Sequence, residues 1–187
     1  MVIEDLRDVS QPRVLKKGEL VLTDPKVAAT FQPYHAVLEL PWERAKTAVR
    51  KTAAIVEATA TKSLSSLVRQ VASDNVEVCG VGIVGAPDRN LDAIGGPHIR
   101  AHAAEGLLFR QVLDAAVDAH KLHRRTFPER DLVEIAISEL GRDSDWIKRR
   151  LDEMGHSVER PWRADEKSAT LAAWLTVAAQ SSRRRNR

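Results

Sequence analysis

Three polar side chains with metal-binding chemistry are spaced to lie on one face of a helix. In the segment GGPHIRAHAAEG, His98, His102 and Glu105 follow one another at intervals of four and three residues. These intervals bring side chains to the same side of an α-helix. Two imidazoles and a carboxylate are adequate ligands for zinc or another transition metal. The segment therefore predicts a metal site formed by these three residues.

Two other interpretations of the same segment stay open. Gly96 and Pro97 are typical of a helix start, and the N-terminus of a helix favours an anion. The histidines and Arg100 would then bind a phosphate group in place of a metal. Alternatively, the two histidines belong to the protein core and form hydrogen bonds with backbone groups.

Carboxylates elsewhere in the chain offer a second kind of site. Asp24 follows a predicted strand, and Asp165 and Glu166 fall in the first turn of the last predicted helix. Acids in a first turn commonly complement the helix dipole. We therefore expect a catalytic role for them only if the fold brings them beside another acid. Cys79, the single cysteine, lies in an apolar segment and is predicted to be structural.

The glycines Gly80, Gly82 and Gly85 spell GxGxxG, the string found in dinucleotide-binding turns. Two of them fall inside a predicted strand, and the next helix begins only near Gly96. That helix therefore cannot receive a pyrophosphate from this turn. We predict instead that the glycines let a helix pack closely on the sheet.

Periodicity along the chain predicts an α/β fold. Apolar residues at helical spacing predict a long helix from Trp42 to Val71, either continuous or broken near residues 59–63. Strands are predicted at residues 19–23, 35–40, 76–84 and 121–127. Further helices are predicted at residues 97–120, 129–140 and 144–155 and from residue 164 onward, with one apolar side of each turned toward the core and with Ser144 as the cap of the third. The order strand, helix, strand predicts a right-handed crossover.

The composition is that of a cytoplasmic protein with one hydrophobic core. The chain has 187 residues, 43% of them hydrophobic. We predict an N-terminal arm over residues 1–17, one α/β domain over residues 18–180 and a basic tail over residues 181–187. No apolar stretch approaches the ~20 residues that a membrane-spanning helix needs. The acidic N-terminus lacks the order of a secretory signal, and a lone cysteine permits no internal disulfide.

The positive charge of the chain is concentrated at its C-terminus. The net charge is +3, and the final SSRRRNR carries Arg183, Arg184 and Arg185 as well as Arg187. Together with Arg100, the first three of these arginines are candidate contacts for nucleic-acid phosphates. A short arginine run is also typical of a solvated chain end. The charge pattern alone thus leaves nucleic-acid binding open.

From Val76 to Ala179, four segments give an apolar strand, a long helix, a short strand with two further helices, and an acid-led last helix: VEVCGVGIVG, GPHIRAHAAEGLLFRQVLDAAVDAHKL, HRRTFPERDLVEIAISELGRDSDWIKRRLDEMG and RADEKSATLAAWLTVAA. In the order and length of these elements, the chain resembles the bacterial crossover junction resolvases of the ribonuclease H-like superfamily. The resemblance implies a layered ribonuclease H-like sheet with flanking helices. It also implies cleavage of structured DNA by divalent metals held by carboxylates.

In this resemblance, Asp165 and Glu166 match the acids of the last helix, and Asp24 stands for the acid of the first strand. Val84 and Gly85 occupy the end of the central strand, where the family has a carboxylate. A two-metal mechanism needs several converging acids. The departure therefore leaves an incomplete catalytic set.

We accordingly predict a nucleic-acid-binding domain with divalent-metal nuclease chemistry. The residues that would hold Mg²⁺ or Mn²⁺ and activate water are Asp24, Glu105, Asp165 and Glu166, with His98 or His102 as a ligand or proton shuttle. One alternative is a catalytically inactive scaffold or partner-binding protein that forms a homodimer through its long helix. Another is a Zn²⁺-dependent hydrolase built on the two histidines.

Overall fold

The computed structural model describes residues 2–4, 12–74, 76–85 and 89–185, with the backbone alone at residues 2–4 and 182–185. The described residues form two compact units. Unit 1 contains those of Met1–Glu19, Val71–Gly85 and Leu122–Arg187, and unit 2 those of Leu20–Gln70 and Ala86–Lys121. The domain predicted over residues 18–180 contributes to both units. Among the described helices, none has the length and hydropathy that crossing a bilayer requires.

The described part of the chain contains four strands and five α-helices. The strands are β1 (Val2–Glu4), β2 (Arg13–Lys16), β3 (Gly80–Gly85) and β4 (His123–Pro128). The α-helices are α1 (Trp42–Ala72), α2 (Pro97–Ala119), α3 (Leu132–Leu140), α4 (Ser144–Gly155) and α5 (Ala164–Arg185). Short 3-10 helices lie at Ala28–Thr30, His35–Val37, Leu91–Ala93 and Glu129–Asp131. The mixed α/β class predicted from the sequence is thereby confirmed.

Unit 1 contains two small sheets. Strands β3 and β4 are parallel, with Gly80 opposite His123 and Gly85 opposite Pro128. Strands β1 and β2 pair in the antiparallel direction. The strands predicted at residues 76–84 and 121–127 are confirmed, although β3 begins only at Gly80. The parallel sheet has two strands among the described residues, and a larger layered sheet of the ribonuclease H-like kind stays a prediction.

The core of unit 1 lies between β4 and the helices α3, α4 and α5. Its most buried members include Phe127, Ile147, Leu171, Trp174 and Leu175, which are all at most 2% exposed. Burying large apolar side chains of this kind stabilises a fold by about 1.5–3 kcal/mol each. The apolar spacing of these helices in the sequence thus did predict which of their sides face inward.

Helix α5 packs against β3 at a glycine. A methyl group added at Gly82 would overlap the backbone carbonyl of Ala172 in α5 and would lie 2.9 Å from Thr176 Oγ1. The prediction that these glycines permit close packing of a helix on the sheet is confirmed at this position. Only a residue without a side chain allows the backbones to approach this closely.

We expect Gly82→Ala to lower the free energy of unfolding by about 1–3 kcal/mol, because the added methyl group forces α5 away from β3. Gly106→Ala is the control, since no atom lies within 4 Å of a methyl group placed at Gly106 in α2. Alanine there should stabilise the helix by about 0.5–1 kcal/mol. Urea denaturation of both variants measures the two changes. Equal stabilities would contradict the close contact.

The ends of α3 and α4 follow local sequence signals. Gly141 ends α3 with a φ of 63°, a left-handed conformation that favours glycine. Asp143 caps α4, because its carboxylate accepts a hydrogen bond from the Trp146 N–H at 2.7 Å. The sequence predicted Ser144 as the cap, and this was wrong by one residue. Ser144 is instead the first residue of the helix.

The two predicted chain ends are partly included in the elements of unit 1. Val14 of β2 is 7% exposed and belongs to the core, so this part of the predicted arm is packed. Residues 1 and 5–11 lie outside the described residues. At the other end, α5 continues to Arg185. The side chains of Arg183, Arg184 and Arg185 lie outside the described part of the chain, and their contact with nucleic acid stays a prediction.

Unit 2 is organised by two long helices. Helix α1 is continuous over 31 residues, which confirms the first of the two predicted alternatives. The Arg100 guanidinium of α2 lies 5.3 Å from the Trp42 ring centroid at the start of α1. Near the other end, His120 Nε2 is 2.8 Å from Ser65 Oγ. These two contacts show that α1 and α2 run side by side in the same direction.

The strands predicted at residues 19–23 and 35–40 are wrong. Residues 19–23 contain no strand, and residues 35–37 form a 3-10 helix. The segments are short, the first ending two residues before Pro25 and the second lying between Pro33 and Pro41, and proline removes the backbone donor that a sheet ladder needs. Turns are therefore the locally favoured structure. This correction matters because the 3-10 helix carries His35.

Candidate metal centre

A buried carboxylate ties the His35–Val37 turn to α2. Glu105 is 7% exposed, and its Oε1 accepts hydrogen bonds from the backbone N–H groups of Tyr34 and His35, each at 3.1 Å. A buried carboxylate is costly unless donors surround it. The turn that follows the buried Pro33 supplies these donors. Glu105 thus fixes the position of His35 beside the first turns of α2.

Glu105 also fixes the orientation and tautomer of the His35 ring. His35 Nδ1 lies 2.9 Å from each oxygen of the Glu105 carboxylate. A carboxylate accepts hydrogen bonds, so in the neutral ring this contact places the proton on Nδ1 and leaves the lone pair on Nε2. His35 Nε2 is buried and has no hydrogen-bond partner among the described residues. A carboxylate behind one imidazole nitrogen is the usual arrangement when the other nitrogen binds a metal.

His98 and His102 lie next to this ring. Gly96 caps α2 and Pro97 occupies its first position, so His98 falls in the first turn and His102 one turn later. Their Nε2 atoms are 3.1 Å apart, within hydrogen-bond distance of each other. Two nitrogen ligands of a tetrahedral zinc ion, at 2.0–2.1 Å from it, are separated by about 3.3–3.4 Å. The observed distance is close to that of a metal-bound pair.

The three imidazoles form a compact cluster, which we call the histidine cluster (His35, His98 and His102). The ring centroids are separated by 4.8 Å for His35 and His98, 4.4 Å for His35 and His102, and 4.6 Å for His98 and His102. One ring nitrogen from each residue lies within 4.8 Å of the other two. His35 is half-buried, whereas His98 and His102 are exposed. The cluster therefore opens to solvent on the α2 side.

Two of the three members of the histidine cluster were predicted from the sequence. The four-residue spacing predicted that His98 and His102 meet, and the structure brings them together. Glu105 was predicted as a third ligand, but its oxygens are bonded to the backbone of Tyr34 and to His35. His35 was missed as a ligand, because it is remote in sequence and was assigned to a strand. No local motif marks it.

Arg100 was predicted to bind a phosphate beside the histidines. Its Nε donates a hydrogen bond to the Ile94 carbonyl at 2.7 Å, and its Nη2 donates to the same oxygen. The guanidinium carbon also lies 5.3 Å from the Trp42 ring centroid. The Nε and Nη2 donors of Arg100 therefore bind the loop that precedes α2.

The remaining predicted carboxylates make local contacts. Asp24 Oδ1 accepts the Lys26 N–H at 2.9 Å in a turn of unit 2. In unit 1, Glu166 Oε2 accepts the Arg163 N–H at 2.8 Å, and this hydrogen bond is the main reason why the pKa of Glu166 lies below its usual value. Asp165 is exposed in the same helical turn. Asp24 and Glu105 thus belong to one unit and Asp165 and Glu166 to the other, and cleavage by these four acids stays a prediction.

The donor set of the histidine cluster selects among ions. Imidazole nitrogen suits Zn²⁺ and neighbouring transition metals, whereas Mg²⁺ is bound through oxygen. Mg²⁺ or Mn²⁺, which the sequence predicted, therefore suits the predicted carboxylate site and not the histidine cluster. Comparison of the chain with models of known protein families, with curated proteins and with solved structures finds no match.

Proposed function

We propose that this protein binds a transition-metal ion of the zinc type through the Nε2 atoms of the histidine cluster. The observation that carries the proposal is the buried Nε2 of His35, which has no hydrogen-bond partner among the described residues while Glu105 holds the opposite side of the ring. Leaving a buried polar atom unpaired costs about 1–3 kcal/mol. A bound ion would use this lone pair.

The electrostatics of the site support a cation despite its place at a helix start. The N-terminal end of α2 carries a partial positive charge, which opposes a cation there. The Glu105 carboxylate lies directly behind His35 and supplies the compensating negative charge. The same helix end favours an anionic group as an additional ligand of the ion.

A ligand set of three histidines suits a centre that acts on bound molecules. Structural zinc sites are closed by four protein ligands, whereas catalytic sites have three and keep a position open. His98 and His102 are exposed, so small molecules can reach the ion between them. An ion held in this way supplies Lewis acidity and lowers the pKa of a coordinated water. We therefore favour hydrolytic metal chemistry over a purely structural role.

Titration of the full chain with Zn²⁺ tests the proposal. After treatment with a chelator, the protein should bind one equivalent of Zn²⁺ in competition with a chromophoric chelator. The double variant His98→Ala and His102→Ala should lose this binding. His156→Ala is the matched control, because His156 is exposed in unit 1 outside the cluster. No saturable binding by the unmodified chain, or equal binding by the double variant, would refute the proposal.

Two hypotheses from the sequence stay open beside this one. Nucleic-acid cleavage by carboxylates in the manner of ribonuclease H-like resolvases, in the cytoplasm, is still a proposal. Dimerisation of an inactive scaffold through α1 is another. The histidine cluster is preferred because several independent contacts converge on it.

A further inference from the structure

Unit 2 contains a cavity of about 350 Å³ between the His35–Val37 turn and the first turns of α1 and α2. Most of its wall is apolar or aromatic, with contributions from Tyr34, Val37, Leu38, Trp42 and Ala101. Small-molecule sites typically have volumes of roughly 300–1,000 Å³ and mainly apolar walls with a few polar groups. The cavity therefore has the size and lining of a site for a small organic molecule.

The aromatic part of the wall is held in place by its neighbours. The Tyr34 and Trp42 ring centroids lie 5.5 Å apart. Trp42 Nε1 donates a hydrogen bond to Asp92 Oδ1 at 2.6 Å. Burial raises the pKa of Tyr34, so its hydroxyl stays neutral at physiological pH. These contacts hold the aromatic side chains in place before a ligand binds. Little side-chain freedom is then lost on binding, which favours a flat, rigid ligand.

The charge on the wall favours an anion. Arg100 lines the cavity, and its hydrogen bonds go to a neutral carbonyl, with no direct ion pair among the described residues. The nearby Asp92 carboxylate is already engaged by Trp42 and by Lys46 at 3.7 Å. Among the residues that the structure describes, one acid lines the wall, the exposed Glu39. A carboxylate can therefore use the remaining guanidinium donors of Arg100.

One short segment serves both the cavity and the histidine cluster. Tyr34, Val37 and Leu38 line the cavity, whereas His35 between them belongs to the cluster. Glu105 holds the N–H groups of both Tyr34 and His35. An ion that fixes His35 therefore also restrains the residues that shape the cavity.

We propose that the cavity binds a small aromatic carboxylate and that a metal ion at the histidine cluster increases the affinity for it. This inference rests on the proposed metal site. By linkage, the carboxylate must increase the affinity for the metal by the same factor.

The test uses 2-naphthoate as the probe and 2-naphthalenemethanol as its neutral counterpart, each titrated into the full chain by calorimetry. With saturating Zn²⁺, naphthoate should bind about 10-fold more tightly than the alcohol, as expected for one charge-assisted hydrogen bond. Removing Zn²⁺ with a chelator should weaken naphthoate binding by about 5-fold or more. Arg100→Gln should remove the preference for the anion while the alcohol still binds. Ala45→Leu, which narrows the cavity, should weaken both.

The outcomes separate this inference from the metal proposal. If Zn²⁺ binds but naphthoate does not, or binds no better than the alcohol, the cavity proposal is overturned and the metal site stands. If naphthoate binds equally with and without Zn²⁺, the coupling is overturned. If direct titration shows no Zn²⁺ binding, the metal proposal fails and the coupling fails with it.

Discussion

Replacing His35 by alanine is expected to weaken Zn²⁺ binding by about 10²–10³-fold. The estimate follows if the ~10–16 kcal/mol that structural zinc sites gain from four ligands is shared equally among them. His35 is the ligand that is held in advance, because Glu105 binds its Nδ1 and its backbone N–H. Removing its ring leaves only the two exposed histidines of α2. Competition with a chromophoric chelator measures the loss.

The control for this variant must separate lost ligation from lost folding. His35→Ala also leaves Glu105 buried with fewer donors, so we expect a decrease of about 1–3 kcal/mol in the free energy of unfolding. Far-ultraviolet circular dichroism should nevertheless show an unchanged helix content. The exposed His156→Ala should change neither property. Unchanged Zn²⁺ affinity in folded His35→Ala would exclude His35 as a ligand.

The second large effect on Zn²⁺ binding is expected for Glu105→Gln, although Glu105 is not a member of the histidine cluster. We expect Zn²⁺ affinity to fall about 10–100-fold, as is usual when the carboxylate behind a metal-binding histidine is lost. The backbone N–H groups of Tyr34 and His35 both donate to Oε1, whereas Oε2 lies 2.9 Å from His35 Nδ1. Glutamine can keep the first oxygen, but its NH₂ group then faces Nδ1 and cannot accept a hydrogen bond from it.

The matched control for Glu105→Gln is Glu57→Gln, since Glu57 is exposed on α1. That change should leave Zn²⁺ affinity and stability unaltered. Glu105→Gln should lower the free energy of unfolding by about 1–3 kcal/mol even without metal, because a buried acceptor is removed. A Glu105→Gln variant with the affinity of the unmodified chain would show that the carboxylate does not orient His35.

The sequence predicted those parts of the site that depend on local periodicity. Gly96 and Pro97 mark the start of α2, and His98 and His102 are one helical turn apart. The contact between the two histidines could therefore be predicted without the tertiary fold. The sequence placed His98, His102 and Glu105 on the inward side of α2, and this is right for Glu105 but wrong for His98 and His102, which are exposed. The partner of Glu105 could not be predicted, since a hydrogen bond between residues 35 and 105 is set by the packing of a turn on a helix.

The same distinction explains the rest of the fold. The long α1 and the strand β3 were recognisable from sustained apolar patterns. The segments at residues 19–23 and 35–40 are too short for their residue pattern to distinguish a strand from a turn. The prolines next to them favour the turn. The cap of α4 was misplaced because Asp143 and Ser144 are both good capping residues. The division of the described chain into two units depends on contacts between remote segments, which periodicity does not report.

The most direct test of the metal centre is a crystal structure of the full chain grown with one equivalent of Zn²⁺, with anomalous data collected at the zinc absorption edge. We predict a single strong anomalous peak within ~2.0–2.1 Å of the Nε2 atoms of His35, His98 and His102, with the Glu105 carboxylate still bonded to His35 Nδ1. A peak located elsewhere, or no peak at this cluster in crystals that contain zinc, would contradict the account.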